Sequence, residues 1–84
     1  MRIDLFLKES RLIKRRKIAN DATTNGLVSI NGIVCKPSTK VKIDDTIVLN
    51  LGLKEITVKV VSLKSNKDTL MYELINEQYK GQKA

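Results

Sequence analysis

A chain of 84 residues with 42% apolar residues is expected to form one small domain with a modest core, which excludes a disordered tail. Its 16 Lys and Arg against 9 Asp and Glu give a formal charge of +7, so the expected partner is a polyanion, either nucleic acid or an anionic membrane. The single cysteine, Cys35, rules out an intrachain disulfide and fits a reducing cytoplasm, and no apolar run exceeds three residues, as at Ile47–Leu49, which excludes a membrane-spanning helix.

The first predicted element is a helix over Arg2–Glu9. Ile3, Phe6 and Leu7 recur at i, i+3, i+4 and give it one apolar face. Asp4 lies in the first turn, where a negative charge suits the helix dipole, and can pair with Lys8 at i+4. Arg2, Asp4, Lys8 and Glu9 also break up the apolar stretch that a signal peptide would need. A second helix is predicted to start between Lys14 and Arg16 and to end at Asn25-Gly26, with Ile18, Ala19 and Ala22 as its buried stripe.

The pattern then changes to a period of two. Val28-Ser29-Ile30 and Ile33-Val34-Cys35, joined by Asn31-Gly32, predict a tight hairpin. Lys36-Pro37-Ser38 breaks the strand, and Asp44-Asp45 makes a turn before a third strand, Thr46–Leu51. Gly52 turns the chain again. Ile56, Val58 and Val60, alternating with polar residues, predict a half-buried antiparallel strand. Ser65–Asp68 reads as a polar turn, Leu70–Ile75 as the last strand, and residues 77–84 as a frayed polar tail. The expectation is a single α+β domain over residues 1–76, two helices followed by a small antiparallel sheet.

The charge is unevenly placed. Residues 1–20 hold seven basic and two acidic side chains, net +5; residues 21–50 are neutral and residues 51–84 carry +2. All four arginines (Arg2, Arg11, Arg15 and Arg16) lie in the first 16 residues. Arginine presents a planar fork of donors that matches phosphate, whereas lysine is a flexible point charge. The arginines are therefore the expected contact set.

A search for catalytic groups comes out nearly empty. With no histidine, the usual general base, the nucleophile dyads and most metal sites are absent. Asp44-Asp45 reads as a turn, because adjacent residues in extended chain point to opposite sides. Cys35 has no evident activating neighbour and reads as a small residue on a hairpin strand. No catalytic residue, metal site or cofactor is expected.

The informative stretch is Ser10–Asp21, with five positive charges between Arg11 and Lys17. At about 100° per residue, Arg16, Asn20 and Thr23 fall opposite the apolar stripe, with Lys14 and Lys17 on a flank. Arg15 points toward the stripe and so is placed at the helix start, where it can splay outward. Arg11 is placed in the connection, near Arg2 if the helices pack as a hairpin. Free amides at the start of the second helix add positive potential beside these side chains. Backbone phosphates are the natural ligand of such a face. Alone, the pattern also suits a solvated helix face or, less well given the lack of Trp and Phe, a membrane-surface helix. The scarcity of aromatics argues against single-strand binding by stacking and favours folded RNA.

The frame Arg2-x-Asp4, Arg16-x-x-Ala19, Gly26-x-Val28-x-Ile30-Asn31-Gly32, Lys36-Pro37-Ser38 and Asp45 resembles the RNA-binding domain named after ribosomal protein S-four, over about residues 1–50. That resemblance implies two helices packed on a small twisted antiparallel sheet (the alpha-L motif), with the later strands as an extension. It also implies binding of structured RNA by the helical face. Ser10-Arg11-Leu12-Ile13-Lys14-Arg15-Arg16 is similar to the short stand-alone bacterial members, the ribosome quality-control protein P type first and the heat-shock protein fifteen type next. That resemblance implies docking on a large ribosomal subunit that carries peptidyl-tRNA, contacts to ribosomal RNA and tRNA, and support of alanine tailing by an RqcH-type partner. By position it matches Arg2 and Arg16 to the family's basic RNA contacts, with Arg11 and Arg15 in the neighbouring patch; the helix wheel adds Lys14, Lys17 and Asn20 to the expected contact set. Asp4 takes the family's acidic position and is expected to orient an arginine, if it does not merely serve the helix start. Two positions depart from the family pattern: Arg15 stands where many members have Ser, and Asp44 where most have Gly. A cytoplasmic monomer is expected. The rival expectations are a helper module for an RNA-modifying enzyme or tRNA synthetase, for whose catalytic domain 84 residues are too few, and a binder of DNA or anionic membrane.

Overall fold

The computed structural model describes residues 1–64 and 70–79. Two helices, α1 (Ile3–Glu9) and α2 (Arg16–Thr24), precede five strands: β1 (Val28–Ile30), β2 (Ile33–Val34), β3 (Thr46–Asn50), β4 (Lys54–Val60) and β5 (Tyr72–Tyr79). The strands form one antiparallel sheet in the order β2-β1-β3-β4-β5. The fold is the α+β arrangement expected, with the helices packed against the sheet through one core. No helix among the described residues is long and apolar enough to cross a membrane.

The core is built from the periodicities in the sequence. Ile3, Phe6 and Leu7 of α1 are fully buried, and so are Val28 of β1, Ile47 and Leu49 of β3, and Val58 and Val60 of β4. In β3 the alternation is complete: Ile47 and Leu49 face the helices, while Thr46, Val48 and Asn50 stay half-exposed. Helix α1 ends at Ser10, and Arg11 then takes a left-handed conformation (φ 69°). The Arg11 N–H donates to Lys8 O at 3.1 Å and the Ile13 N–H to Leu7 O at 3.1 Å. This satisfies carbonyls that a helix end leaves open.

The hairpin turn has the expected chemistry. Asn31 (φ 53°) and Gly32 (φ 86°) both take positive φ, as a two-residue turn matched to strand twist requires. Asn31 also ties the hairpin to the next strand. Its Nδ2 donates to Asp45 Oδ1 at 3.0 Å, and its Oδ1 accepts the Thr46 N–H at 2.9 Å. Asp44 is left-handed as well (φ 77°), the geometry a Gly would occupy. Aspartate tolerates that region better than most side chains, so the replacement leaves the turn in place.

Four local expectations are corrected. In α2 the buried residues are Ala19, Ala22 and Thr23, whereas Ile18 is 52% exposed. Small side chains at i, i+3, i+4 let α2 sit close, and the Thr23 hydroxyl satisfies itself by donating to Ala19 O at 3.1 Å. Asp4 does not pair with Lys8, which meets Glu9 at 3.2 Å instead. Cys35 falls just past β2; it is buried and its thiol donates to Val28 O at 3.4 Å. Burial pushes the thiol pKa up, which leaves a packed thiol rather than a nucleophile.

The fourth correction concerns the C-terminal end. β5 begins at Tyr72 rather than Leu70 and runs to Tyr79, so residues 77–79 are not tail. They pair with the start of β4, Ile56↔Glu77 and Lys54↔Tyr79, past a bulge at Thr57/Val58. Lys54 Nζ meets Glu77 Oε2 at 3.0 Å and lies 5.7 Å from the centre of the Tyr79 ring. The hydrogen bond and charge of Glu77 raise the Lys54 pKa. Cross-strand partners of this kind extend a polar strand where no core demands it. The turn expected at residues 65–68 and the end of the expected tail, residues 80–84, lie outside the described residues.

Candidate nucleic-acid interface

Arg2 precedes α1 in extended backbone (φ −71°, ψ 149°), and an isolated bridge to Lys40 holds it there. Two residues on, Asp4 is only 1% exposed. A carboxylate buried to that degree must be paired. Its Oδ1 accepts the Leu5 N–H at 2.7 Å. Its Oδ2 accepts from Arg2 Nη2 at 3.1 Å and from Asn20 Nδ2 at 3.4 Å, and lies 3.7 Å from Arg16 Nε. One buried negative charge thus gathers two guanidinium groups and an amide from three places in the chain.

Both arginines stay at the surface, with side chains 42% and 49% exposed. Arg16 turns its Nε to Asp4, and its two terminal amino groups have no partner among the described residues. The Arg2 Nε is buried without a hydrogen-bond partner among the described residues. Its position is therefore set by packing and by the carboxylate, at a desolvation cost of about 1–3 kcal/mol. The result is a pair of forks with fixed orientation, the preorganised form of a phosphate contact.

Helix α2 presents the rest of the face. Its first residue is Arg16, and Arg15 stands at the cap in extended backbone (φ −119°, ψ 135°) without a side-chain cap. Lys14, Arg15, Arg16 and Lys17 are all exposed. Lys14, Arg15 and Lys17 make no ion pair among the described residues. Because α2 lacks a cap, Arg15→Ser should restore one and raise stability by about 0.5–1 kcal/mol, read as a higher Tm. It would at the same time remove one positive charge from this exposed face.

Not every expected contact converges. Arg2, Asp4, Arg16, Lys17, Asn20 and Asp21 line one open depression of about 550 Å³. Arg11 does not join Arg2: it lines a separate groove with Leu12, Lys54, Ile56 and Tyr72. The left-handed turn after α1 redirects the chain, which a helix-hairpin picture does not include. A third groove escaped sequence reasoning. Lys36-Pro37-Ser38, read as a strand break and as part of the family frame but not as a contact, lines it together with Arg2 and Asn20. The signal that could have found it is the pair of polar side chains flanking a proline-locked turn.

Comparison with known proteins places this arrangement. The S4 domain family matches residues 1–47, the stretch that contains both helices, the hairpin and the start of β3. The chain belongs to the S4-domain family. Across nearly its whole length it is similar to proteins named RQC P-site tRNA stabilizing factor. The relative from Listeria monocytogenes is 42% identical over 82 residues, covering 93% of this chain and 89% of the relative. The one from Bacillus subtilis is 41% identical over 86 residues, covering 98% and 100%. The one from Helicobacter pylori strain J99 is 43% identical over 77 residues, covering 86% and 92%. Among solved structures, Heat Shock Protein 15 of Vibrio cholerae, described as trimeric, superposes with a TM-score of 0.81. It is 28% identical and covers 89% of this chain and 81% of that one.

Proposed function

We propose that this chain is a non-catalytic RNA-binding protein of ribosome quality control, working in the cytoplasm. It docks on the large ribosomal subunit through the α1–α2 face and stabilises the tRNA in the P site. The observation that carries the reading is the buried Asp4 holding Arg2, Arg16 and Asn20 at one surface. A bland solvated helix face has no need of a buried carboxylate to order its arginines. The names of the relatives support the setting. On the large subunit the chain contacts ribosomal RNA and peptidyl-tRNA directly, supports an RqcH-type alanine-tailing partner, and acts as a monomer.

The binding is electrostatic. Arg2 and Arg16 take phosphates at the depression, Lys17 and Asn20 flank them, and Lys14 and Arg15 extend the field ahead of α2. Arg11 reaches a second point beyond the turn. About four to six phosphates neutralised give a steep salt dependence. Replacing Arg16 with Ala should lower affinity for purified large subunits about 10-fold or more, since a charge-assisted hydrogen bond is worth about 1.5–3 kcal/mol. The measurement is co-sedimentation across a salt series. Unchanged co-sedimentation at moderate salt would remove Arg16 from the site.

A second reading has one observation in its favour. The superposition on Heat Shock Protein 15 suits a factor of that type acting on the same subunits. The higher identity and fuller coverage of the first set of relatives favour the quality-control role. Sedimentation velocity of the free protein separates a monomer from the trimer described for that neighbour.

A further inference from the structure

The depression that holds Arg16 and the groove beside it share two residues, Arg2 and Asn20. The groove runs between the C-terminal end of α2 and the turn at Lys36–Thr39. Its apolar floor includes Val34, Cys35 and Pro37, its rim carries Arg2, Lys36, Thr24 and Ser38, and no acidic side chain among the described residues lines it. The volume is about 620 Å³, within the range of small-ligand clefts, about 300–1,000 Å³.

The turn that forms one wall is held firmly. Ile3 N–H donates to Thr39 O at 2.7 Å and Asp4 N–H to Pro37 O at 3.4 Å. Within the turn, Thr39 N–H donates to Lys36 O at 3.0 Å, and Lys36 N–H donates to Thr39 Oγ1 at 2.9 Å. The wall is thus fastened to the same first turn of α1 that carries Asp4. The Lys36, Ser38 and Thr24 side chains make no hydrogen bond or ion pair among the described residues. A cationic rim, free hydroxyls and an aliphatic floor together match one nucleotide: phosphate on the cations, ribose 2′-hydroxyl on the hydroxyls, sugar and base edge on the floor.

Resting on the RNA-binding reading above, we propose that this groove takes one unpaired nucleotide of the bound RNA, extruded from its helix. Its phosphate lies between Arg2 and Lys36, and its 2′-hydroxyl faces Thr24 and Ser38. Arg2 is then the hinge of the interface, bridging the helical backbone held at Arg16 and the nucleotide turned out beside it. The groove lacks an aromatic platform, so it selects an exposed nucleotide by shape and ribose rather than by stacking. An unpaired position costs less to extrude than a paired one.

The test uses the full chain and purified large ribosomal subunits, with two variants on exposed positions whose folding is checked by circular dichroism. Lys36→Ala should reduce the slope of log affinity against log salt by about 0.7–0.9, one phosphate's share. Thr24→Tyr, which fills the groove and removes no charge, should abolish protein-dependent protection of one unpaired nucleotide from 2′-hydroxyl acylation. Protections along the neighbouring helix should persist. If both variants keep the wild-type slope and footprint while Arg16→Ala detaches the protein, the groove is not a nucleotide site and the helical-face reading stands. If Arg16→Ala also binds normally, both fail.

Discussion

Asp4→Asn is expected to release the protein from large ribosomal subunits while leaving it folded. Asparagine can still accept the Leu5 N–H through its oxygen, as Asp4 Oδ1 does at 2.7 Å. What it cannot do is hold Arg2 and Arg16 by charge. The two guanidinium groups are about half-exposed, so water takes over much of their pairing. The stability cost should therefore be near 1–2 kcal/mol, below the about 3–5 kcal/mol of a fully buried pair broken on one side. Binding should suffer more. Two charge-assisted contacts lose their fixed geometry, for a drop on the order of 10–100-fold. The variant also separates order from charge. Removing a negative charge makes the face more positive, so a purely electrostatic surface would bind RNA more tightly. Tighter co-sedimentation at low salt would overturn the view that Asp4 organises the site; weaker co-sedimentation by a protein that still unfolds cooperatively, with Tm lower by about 5–10 °C, supports it.

Phe6→Ala should have the largest effect on stability. Phe6 is fully buried in α1 against the sheet, and truncating such a side chain typically costs about 3–5 kcal/mol. A domain of 84 residues has about 4–13 kcal/mol in hand at ordinary stability per residue. The variant is thus expected to lose at least about a quarter of its margin, and all of it at the low end of that range; urea titration followed by circular dichroism should show the midpoint fall in proportion. A loss under about 1 kcal/mol would mean that α1 is not held to the sheet through this ring. The consequence for function is direct, because α1 carries Asp4 and Arg2 stands immediately before it. Residual folded protein should bind RNA normally, which distinguishes this variant from Asp4→Asn.

Much of this was legible along the chain. The Ile3, Phe6, Leu7 spacing, the Asn31-Gly32 turn and the alternation in β3 and β4 are local signals, and the structure follows them. The clustering of arginines before residue 17 marked the basic face. The order of elements came from those periods, and the S4-type frame added that the two helices pack on the sheet. What misled was also local. Ile18 is more apolar than Thr23, so hydropathy put the wrong residue inside. Thr23 is buried at 2% exposure because its hydroxyl bonds to its own helix, a compensation no hydropathy pattern displays. The polar look of residues 77–79 concealed a strand that pairs with β4 through main-chain bonds.

By itself, then, the sequence determined most of the elements, the single core and that the first 20 residues carry most of the charge, because side-chain period and turn chemistry act over a few residues. Tertiary structure decided how the cations are grouped. The partners of Asp4 lie two, twelve and sixteen residues away, and only the packing of α1 on α2 brings them to one carboxylate. It also separated Arg11 from Arg2, through a left-handed residue at a helix end, and set Lys36 and Ser38 beside Arg2 across a groove. A net charge can be counted from composition, but the geometry that turns it into a site depends on contacts between segments distant in the chain.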